Sequence, residues 1–316
     1  MQPLLCIVGP TASGKTALSV ALAKELDGEI VSADSMQLYR GMDIGTAKAT
    51  REERQGIPHH MLDILDPGES YSAAQYAEDA RKCVEDILAR GKVPIVAGGT
   101  GLYLNALLGR IRFEEEERDP AYRQALEAEA EAEGGAGLLA RLREVDPESA
   151  AKLHENDHKR IIRALESFHA TGEPLSVVNA RGREQPLNYR PCIIGIAPEK
   201  REVLYSRIDR RVNEMIRGGL IEEARALFAR PVLSSTARQA IGYKELLPYL
   251  EDGVPLEPCV ELLKQNTRRY AKRQLTWFRN DPEVHWIWYD QNVNFRLILQ
   301  NSREIFRDCV IMDTST

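Results

Sequence analysis

Short, mostly apolar runs alternate along this chain with longer stretches in which apolar residues recur every three or four positions. The runs have the length and bounding turns of buried strands, and they lie at residues 4–8, 29–33, 93–97, 192–197 and 284–289. Helical spacing starts with Leu18, Leu22 and Leu26, and it returns at residues 72–90, 199–229 and 258–278. Strands separated by helices need crossover connections, so the pattern predicts a parallel sheet with helices on both faces.

The stretch from residue 114 to residue 188 breaks this alternation. It is rich in Ala, Glu, Leu and Arg and contains no run that resembles a strand. We therefore predict a core formed by residues 1–113 and 189–316, which includes the C-terminal helices, and an inserted all-helical domain formed by residues 114–188.

Two histidines in this insertion have the spacing of a zinc-protease motif, in the sequence HENDH that begins at His154. That motif needs both histidines on one helix. Asn156 and Asp157 instead predict the start of a helix that ends before Gly172. His154 would then precede the helix, so we do not expect a zinc site.

Composition is that of a folded protein, with 316 residues, 43% hydrophobic and 28% charged. The apolar runs are far shorter than the ~20 residues of a membrane helix, so no membrane partner is expected. The five cysteines are scattered without a C-x-x-C pair, which argues against a disulfide framework and against a thiolate zinc site. We expect a cytoplasmic protein and, by default, a monomer.

A glycine-rich loop follows the first predicted strand and precedes the first predicted helix. Its sequence, GPTASGKT, fits the phosphate-loop pattern G-x-x-x-x-G-K-[ST]. Backbone amides and the Lys15 charge would bind a diphosphate, and the Thr16 hydroxyl would hold Mg²⁺. The candidate diphosphate ligands are Gly9, Pro10, Thr11, Ala12, Ser13, Gly14, Lys15 and Thr16. The predicted fold class is therefore α/β, a P-loop NTPase-like core on a parallel sheet with an inserted all-helical domain.

The phosphate loop is common in ATP-binding proteins, but it does not by itself specify ATP. The chain has no D-x-x-G or N-K-x-D motif, which excludes a typical GTPase. An ATPase usually has an acid at the end of an apolar strand, whereas the strand at 93–97 runs into Gly98, Gly99 and Thr100. Asp34, after the strand at 29–33, is the acid at a strand end near the loop.

The carboxyl ends of parallel strands meet at one crevice, so Asp34, Thr100 and the phosphate loop should be neighbours. From position alone, Asp34 could equally cap a turn.

Several longer motifs resemble those of the tRNA dimethylallyltransferases, the tRNA isopentenyltransferase family. The most specific is ADSMQLYRGMDIGTAK at residues 33–48. The phosphate loop itself is another, and the rest are PHHMLD at 58–63, GGTGLY at 98–103, QAIGY at 239–243 and KRQLTWFR at 272–279. The chain lacks the C-terminal Cys/His zinc finger of eukaryotic members, so it resembles the bacterial type.

The resemblance implies transfer of a dimethylallyl group from dimethylallyl diphosphate to N6 of the adenosine 3′ of the anticodon in tRNA, with release of pyrophosphate. It implies that Thr100 lies at the reacting centre and that Arg211 binds diphosphate. It also implies tRNA contacts by Asp34, Ser35, Met36, Gln37, Thr100, Arg123, Arg238, Gln239, Gly242 and Tyr243. The chemistry of N6, a weak nucleophile that must lose a proton, makes Asp34 the candidate base.

A basic segment near the C-terminus offers a surface for RNA despite the net charge of −6. Residues 264–279 include six basic side chains, three aromatic ones and no acid. Such a run is usually a solvated helix face, but phosphates and unstacked bases favour this mixture. The candidate contacts here are Arg268, Arg269, Lys272, Arg273 and Arg279. A smaller cluster in the insertion, Lys159, Arg160 and Arg163, is a candidate second contact with the anticodon stem.

Two other functions compete with prenyl transfer. One is an ATP-dependent kinase of a small molecule or nucleoside, which the basic segment and the large insertion disfavour. The other is a noncatalytic RNA-binding NTPase switch, which the missing GTPase motifs disfavour.

Overall fold

The core of the protein is a six-stranded sheet, seen in a computed structural model that describes residues 3–111, 119–183 and 187–311. The strands are β1 (Pro3–Val8), β2 (Gly28–Ala33), β3 (His59–His60), β4 (Val93–Gly98), β5 (Arg190–Pro198) and β6 (Val284–Tyr289). Every pairing is parallel, and the order across the sheet is β3-β2-β4-β1-β5-β6. This confirms the predicted α/β class. Strand β3 was not predicted, because two residues are too few to show a periodic pattern.

Four helices precede the insertion: α1 (Lys15–Glu25), α2 (Arg51–Arg54), α3 (Ala73–Ala89) and α4 (Gly101–Leu108). The insertion contains α5 (Pro120–Glu133), α6 (Ala136–Val145), α7 (Pro147–Ala150), α8 (His158–Thr171) and α9 (Leu175–Arg183). After it come α10 (Arg201–Arg217), α11 (Leu220–Phe228), α12 (Ser235–Arg238), a 3₁₀ turn (Lys244–Leu246), α13 (Leu247–Glu251), α14 (Leu256–Arg279) and α15 (Phe295–Ile311).

Local sequence explains where several of these helices begin and end. Helix α3 begins after a capping box, in which Ser72 and Gln75 each bond the other's backbone amide. The predicted helix at 199–229 is two helices, because the Gly218–Gly219 pair interrupts it and Gly219 adopts a φ of 101°. Helix α15 had no prediction from the sequence.

Both faces of the sheet are buried, as the alternation of strands and helices predicted. On β1, Leu5 and Ile7 pack with residues of α1 and α15, among them Leu18 and Ile298. Leu4 and the other alternate residues of β1 point to the opposite face, in a core that includes residues of α3, α10 and α14. None of the helices in the described ranges is long and apolar enough to cross a membrane.

The chain divides into two compact units, residues 1–108 with 188–316, and residues 109–187. The predicted boundary between residues 113 and 114 lies outside the described residues. Within its described part, the smaller unit is helical and has its own core. Helix α8 begins at His158, directly after Asp157, and ends before Gly172. This confirms the predicted helix and leaves His154 in the preceding turn.

Candidate active site

Three loops meet at the carboxyl ends of the adjacent strands β2, β4 and β1. Gly98, at the end of β4, lies between Ala33 of β2 and Val8 of β1. A Cβ atom on Gly98 would lie 2.1 Å from the Ala33 carbonyl oxygen, so the strands approach this closely only because position 98 is glycine. The Thr100 amide then donates to the same carbonyl at 3.0 Å. The phosphate loop, Asp34 and Thr100 are thereby brought together, as strand topology predicted.

The phosphate loop has a backbone that depends on its two glycines. Gly9 has a φ of 141° and Gly14 a φ of 98°, values that side chains disfavour. The Lys15 ammonium donates to the Pro10 carbonyl at 2.7 Å. Ser13 is buried, and its hydroxyl is one of the described side-chain groups without a hydrogen-bond partner. Helix α1 begins at Lys15, so its first amides point into the loop, where an anion would be bound.

Three residues distant in sequence hold this loop in place. The Thr11 amide donates to Gln274 Oε1 at 2.8 Å. Arg207 Nε donates to the Ala12 carbonyl at 2.8 Å, and the Tyr289 hydroxyl donates to the Ser13 carbonyl at 2.9 Å. We did not predict any of the three as a site residue, although Gln274 lies within one of the motifs that carry the resemblance. The Thr11 amide is already bonded to Gln274, and the Ser13 amide donates to the Pro10 carbonyl at 3.3 Å, so the diphosphate prediction rests chiefly on the other amides of residues 12–15.

Asp34 caps a turn, as its position alone allowed. Its Oδ1 accepts from the Met36 amide at 3.0 Å. Beside it, Thr100 Oγ1 accepts from the Ser35 amide at 3.1 Å, so the threonine hydroxyl fixes the segment that follows Asp34. One oxygen of the carboxylate serves the turn, and a base also needs only one oxygen, so the two interpretations are compatible.

Electrostatic effects connect Asp34, Lys15 and Arg211. Burial raises the pKa of the Asp34 carboxyl, against the opposing effects of the Met36 amide and the Lys15 charge. Burial lowers the pKa of Lys15 to about 8, and Arg211 lowers it further while Asp34 opposes the shift. Burial also lowers the pKa of Arg211 on α10. The Arg211 charge acts on both Lys15 and Asp34, and its assignment to the diphosphate stays a prediction.

Tyr270 on α14 is a further neighbour, which the sequence indicated only as one of the aromatic residues in the basic segment. Burial raises the pKa of its phenol, and the Asp34 charge adds to the effect. Its hydroxyl lies within hydrogen-bonding reach of the Thr100 side chain. The reacting-centre candidates therefore sit under a helix whose sequence we had interpreted only as an RNA-binding surface.

Glu223 on α11 anchors the loop that follows Asp34. Its carboxylate accepts from the amides of Asp43, Ile44 and Gly45 at 2.9–3.0 Å. It also accepts from the Tyr243 hydroxyl at 2.6 Å. No local motif marks Glu223, since it is separated from this loop by almost 180 residues.

The predicted RNA contacts at 238–243 divide into two groups. Arg238 and Gln239 are exposed. The Tyr243 side chain is fully buried against Gly45, and Gly242 packs on the Gly45 carbonyl. The structure therefore gives Tyr243 and Gly242 positions that support the loop at 43–45, whereas Arg238 and Gln239 are accessible to a partner.

The predicted contacts at 34–37 are only partly buried. Among them, Gln37 Nε2 donates to the Thr46 carbonyl at 3.3 Å. This bond connects the segment after Asp34 to the loop that Glu223 anchors.

Basic side chains of α14 differ in their surroundings. Arg269, Lys272, Arg273 and Arg279 are exposed. The Arg273 and Arg279 guanidinium groups lie over the rings of Tyr270 and Trp288. Arg268 is half-buried and forms an ion pair with Asp209 on α10 at 2.5 Å. The exposed group is better placed than Arg268 to meet phosphates.

The inserted unit has its own basic positions. Arg123 pairs with Glu127 and with Glu166, at 2.9 and 2.8 Å. Lys159 and Arg160 are exposed at the first turn of α8, and Arg163 is half-buried. Arg123 would have to exchange protein partners for RNA, whereas Lys159 and Arg160 would not exchange any pair that the structure records.

The donor set near the loop suits Mg²⁺ bound largely through a phosphate. In the described ranges there is no group of three or more His, Cys, Asp or Glu side chains that could hold a metal. Mg²⁺ commonly takes only one or two protein ligands when it also binds substrate phosphates. The Thr16 hydroxyl, in the first turn of α1 next to the loop amides, fits this requirement.

Several known proteins are similar to this chain in sequence and in fold. A model of the IPP transferase family matches residues 37–281. The tRNA dimethylallyltransferase of Geobacillus thermodenitrificans is 50% identical, over 97% of this chain and 96% of the relative. The one from Bacillus subtilis is 47% identical, over 96% of both chains.

Solved structures agree with these relatives. The full-length tRNA isopentenylpyrophosphate transferase of Bacillus halodurans is 43% identical and has a TM-score of 0.73, covering 99% of this chain and 100% of that one. A eukaryotic dimethylallyltransferase acting on tRNA is 31% identical and has a TM-score of 0.81, covering 96% of this chain and 78% of that one. With the family model, the full-length identity and the shared fold in agreement, this chain belongs to the IPP transferase family, as the tRNA dimethylallyltransferases do.

Proposed function

We propose that this chain transfers a dimethylallyl group from dimethylallyl diphosphate to N6 of the adenosine 3′ of the anticodon in tRNA, and releases pyrophosphate. The observation that carries the proposal is the convergence of a carboxylate and a phosphate loop at adjoining strand ends. Asp34 and Lys15 lie close enough to shift each other's pKa. A base for the acceptor and a cation for the leaving group are thus held in one site.

Positive charge and backbone amides suit the leaving diphosphate. As the bond between the allylic carbon and oxygen breaks, its electron pair and the developing negative charge move onto the diphosphate. The Lys15 ammonium, the Arg211 guanidinium and the amides of residues 12–15 would stabilise that charge. Thr16 would hold a Mg²⁺ ion, which when bound supplies further positive charge to the diphosphate.

The acceptor side needs a group that removes a proton. The lone pair of N6 is delocalised into the adenine ring, so attack on the allylic carbon has to be accompanied by loss of a proton. We assign that proton to the Asp34 carboxylate. The new bond joins N6 to the allylic carbon, the proton goes to Asp34, and pyrophosphate leaves.

The adenine has to leave its stack to reach this position. Residues 34–37 and Thr100 would contact the extruded base. Arg269, Lys272, Arg273 and Arg279 of α14, with Arg238 and Gln239, would bind the surrounding anticodon loop. Arg123 would contact RNA next to the extruded base, and Lys159, Arg160 and Arg163 would bind the stem.

The kinase alternative has less support. Strand β4 ends in Gly98, followed by Gly99 and Thr100, and so lacks the acid typical of ATP-hydrolysing proteins. Two relatives that align with this chain over nearly their full length are named tRNA dimethylallyltransferase. We further propose a cytoplasmic monomer. Sedimentation at working concentration would test the monomer.

A direct assay tests the function. The chain would be incubated with unmodified tRNA, Mg²⁺ and dimethylallyl diphosphate, and the digested RNA would be searched for N6-dimethylallyladenosine. We expect one modified adenosine, on the 3′ side of the anticodon. A tRNA in which that adenosine is replaced by guanosine is the matched control. Modification elsewhere, or no modification, would contradict the proposal.

A further inference from the structure

Gln274 joins the two loops that meet at the proposed reaction centre. Its Oε1 accepts from the Thr11 amide of the phosphate loop at 2.8 Å. Its Nε2 donates to the Gly99 carbonyl, next to Thr100, at 3.1 Å. The residue is 5% exposed, although the two residues before it on the helix, Lys272 and Arg273, are charged and exposed. One side chain therefore connects the phosphate loop to the loop that carries Thr100.

The chemistry of an amide suits this bridge. Glutamine combines an acceptor and a donor in one planar group, whereas glutamate lacks the donor and methionine lacks both. Each bond satisfies a backbone group away from water, where an unpaired group is costly. Gly99 makes the approach possible, because a Cβ atom there would lie 2.0 Å from Gln274 Nε2. The bridge thus depends both on glutamine at position 274 and on glycine at position 99.

The bridge belongs to one stripe of α14. Tyr270, Gln274 and Trp277 are spaced at i, i+4 and i+7, on one face of the helix. Tyr270 lies by Thr100, and the Trp277 indole lies against Gly101. Around the helix, Arg269 and Lys272 are exposed. Helix α14 thus exposes basic side chains to solvent on one face, and on the other face it contacts the phosphate loop and the loop that carries Thr100.

We propose that Gln274 is a positioning residue for the transfer reaction. It sets the distance between the phosphate loop and the Thr100 loop, and so aligns the allylic carbon of the donor with the amine of the acceptor. This inference rests on the proposed function. Reaction rates are sensitive to such alignment, since a misplacement of about 1 Å can cost on the order of a hundredfold.

The test uses Gln274→Met, which keeps the approximate volume but removes both bonds. Gln300→Met is the matched control, because Gln300 is exposed on α15 and bonds only Glu304 among the recorded partners. Three quantities would be measured per folded enzyme well below the melting temperature: the single-turnover rate, the tRNA dissociation constant and the pyrophosphate dissociation constant. We expect Gln274→Met to lower the rate about ten- to a hundredfold, to weaken pyrophosphate binding several-fold, and to leave tRNA affinity unchanged.

A second variant separates positioning from a general loss of packing. Gln274→Glu keeps the acceptor for Thr11 but loses the donor for Gly99, and we expect it to be slower than wild type as well. A purely structural role would lower the melting temperature while leaving the rate per folded enzyme intact, and that result would overturn the inference. Equal losses of rate and tRNA affinity would overturn it too.

Failure of the proposed function would be distinguishable. If the wild-type chain did not modify tRNA, the pyrophosphate dissociation constants alone would test the positioning role of Gln274. An unchanged pyrophosphate affinity in Gln274→Met would then reject the positioning role, and a weakened affinity would support it for whatever diphosphate the loop binds.

Discussion

The Asp34 carboxylate serves the fold and the proposed chemistry together. It caps the turn to Met36, yet burial raises its pKa, so the ionised form is held at some cost to stability. Because the folded state binds this proton more tightly than the unfolded chain does, ionisation of Asp34 lowers stability as the pH rises through its pKa. Ionisable residues whose pKa is shifted by burial are typical of functional sites.

Asp34→Asn should therefore separate activity from stability. The asparagine oxygen can still accept from Met36, but the amide cannot take the proton of N6, so we expect transfer to fall about 10²- to 10⁴-fold. The melting temperature at neutral pH should not fall, because a desolvated charge has been removed. Single-turnover rates and thermal unfolding on one preparation would check both. A near-normal rate would contradict the base assignment.

Wild-type transfer should also depend on pH through Asp34. Only the ionised carboxylate accepts a proton, so we expect the rate to fall as the pH drops through a pKa above the ordinary aspartate value of 3.8. A rate profile that is flat down to that ordinary value would contradict the assignment.

Lys15 offers a second pH test, on the diphosphate side. Its pKa of about 8 means that the free enzyme loses this charge as the pH rises from 7 to 9. We expect pyrophosphate affinity to fall about tenfold over that interval, relative to Lys15→Arg, whose guanidinium stays charged. Titration calorimetry of both proteins at the two pH values would measure the ratio, and ionisation of pyrophosphate cancels in it. A constant ratio would show that Lys15 does not titrate in this range.

At the scale of secondary-structure elements, α14 has two different faces. The exposed Arg269, Lys272 and Arg273 are available for phosphates, while Arg268 is paired with Asp209. The basic segment that the sequence marked as one candidate surface is therefore not uniform.

Alanine substitutions along α14 should reflect that difference. Arg269→Ala, Lys272→Ala and Arg273→Ala should each weaken tRNA binding and reduce the salt slope by about one unit, whereas Arg268→Ala should reduce it less. Binding isotherms at several salt concentrations would provide the slopes. Arg303→Ala on α15 serves as the control, since it removes a comparably exposed charge that has not been assigned to tRNA. If all variants matched the control, this face would be an ordinary solvated surface.

The attachment of α11 to the loop at 43–45 depends on Glu223. Glu223→Gln would place an amide donor among groups that all donate, so at least one of them would lose its partner. We expect the free energy of unfolding to fall by about 1–3 kcal/mol and amide exchange at Ile44 and Gly45 to accelerate. Glu222→Gln, at an exposed neighbouring position, is the control. Unchanged exchange in Glu223→Gln would show that the loop is held by other contacts.

At the scale of the whole molecule, the phosphate loop has a sequence pattern that is common in ATP-binding proteins. Its proposed ligand is the diphosphate of the prenyl donor. We therefore expect transfer to proceed with Mg²⁺ and dimethylallyl diphosphate alone, and to be inhibited by pyrophosphate. A tRNA modification time course with and without ATP, with phosphate release monitored, would test this. Strict dependence on ATP, or one ATP cleaved per modified adenosine, would move the chain to a different class of enzyme.

The parallel sheet and the approach of three loops follow from the sequence alone. Short apolar runs separated by helices allow a parallel sheet, and strand ends in such a sheet converge. Asp34, Thr100 and the phosphate loop lie directly after strands, so their neighbourhood could be predicted without side-chain contacts. The start of α3 at Ser72 and of α8 after Asp157 could also be predicted, because helix caps are local signals.

Contacts across the chain were decided by the tertiary structure. Gln274, Arg207 and Tyr289 hold the phosphate loop from positions about 200 to 280 residues away, and Glu223 holds the loop at 43–45 from a similar distance. Hydrogen bonds of this kind leave no periodic or spaced pattern, because each depends on where two separate segments pack. Sequence indicated the candidate groups for the proposed chemistry, and only packing decided which groups hold them in place.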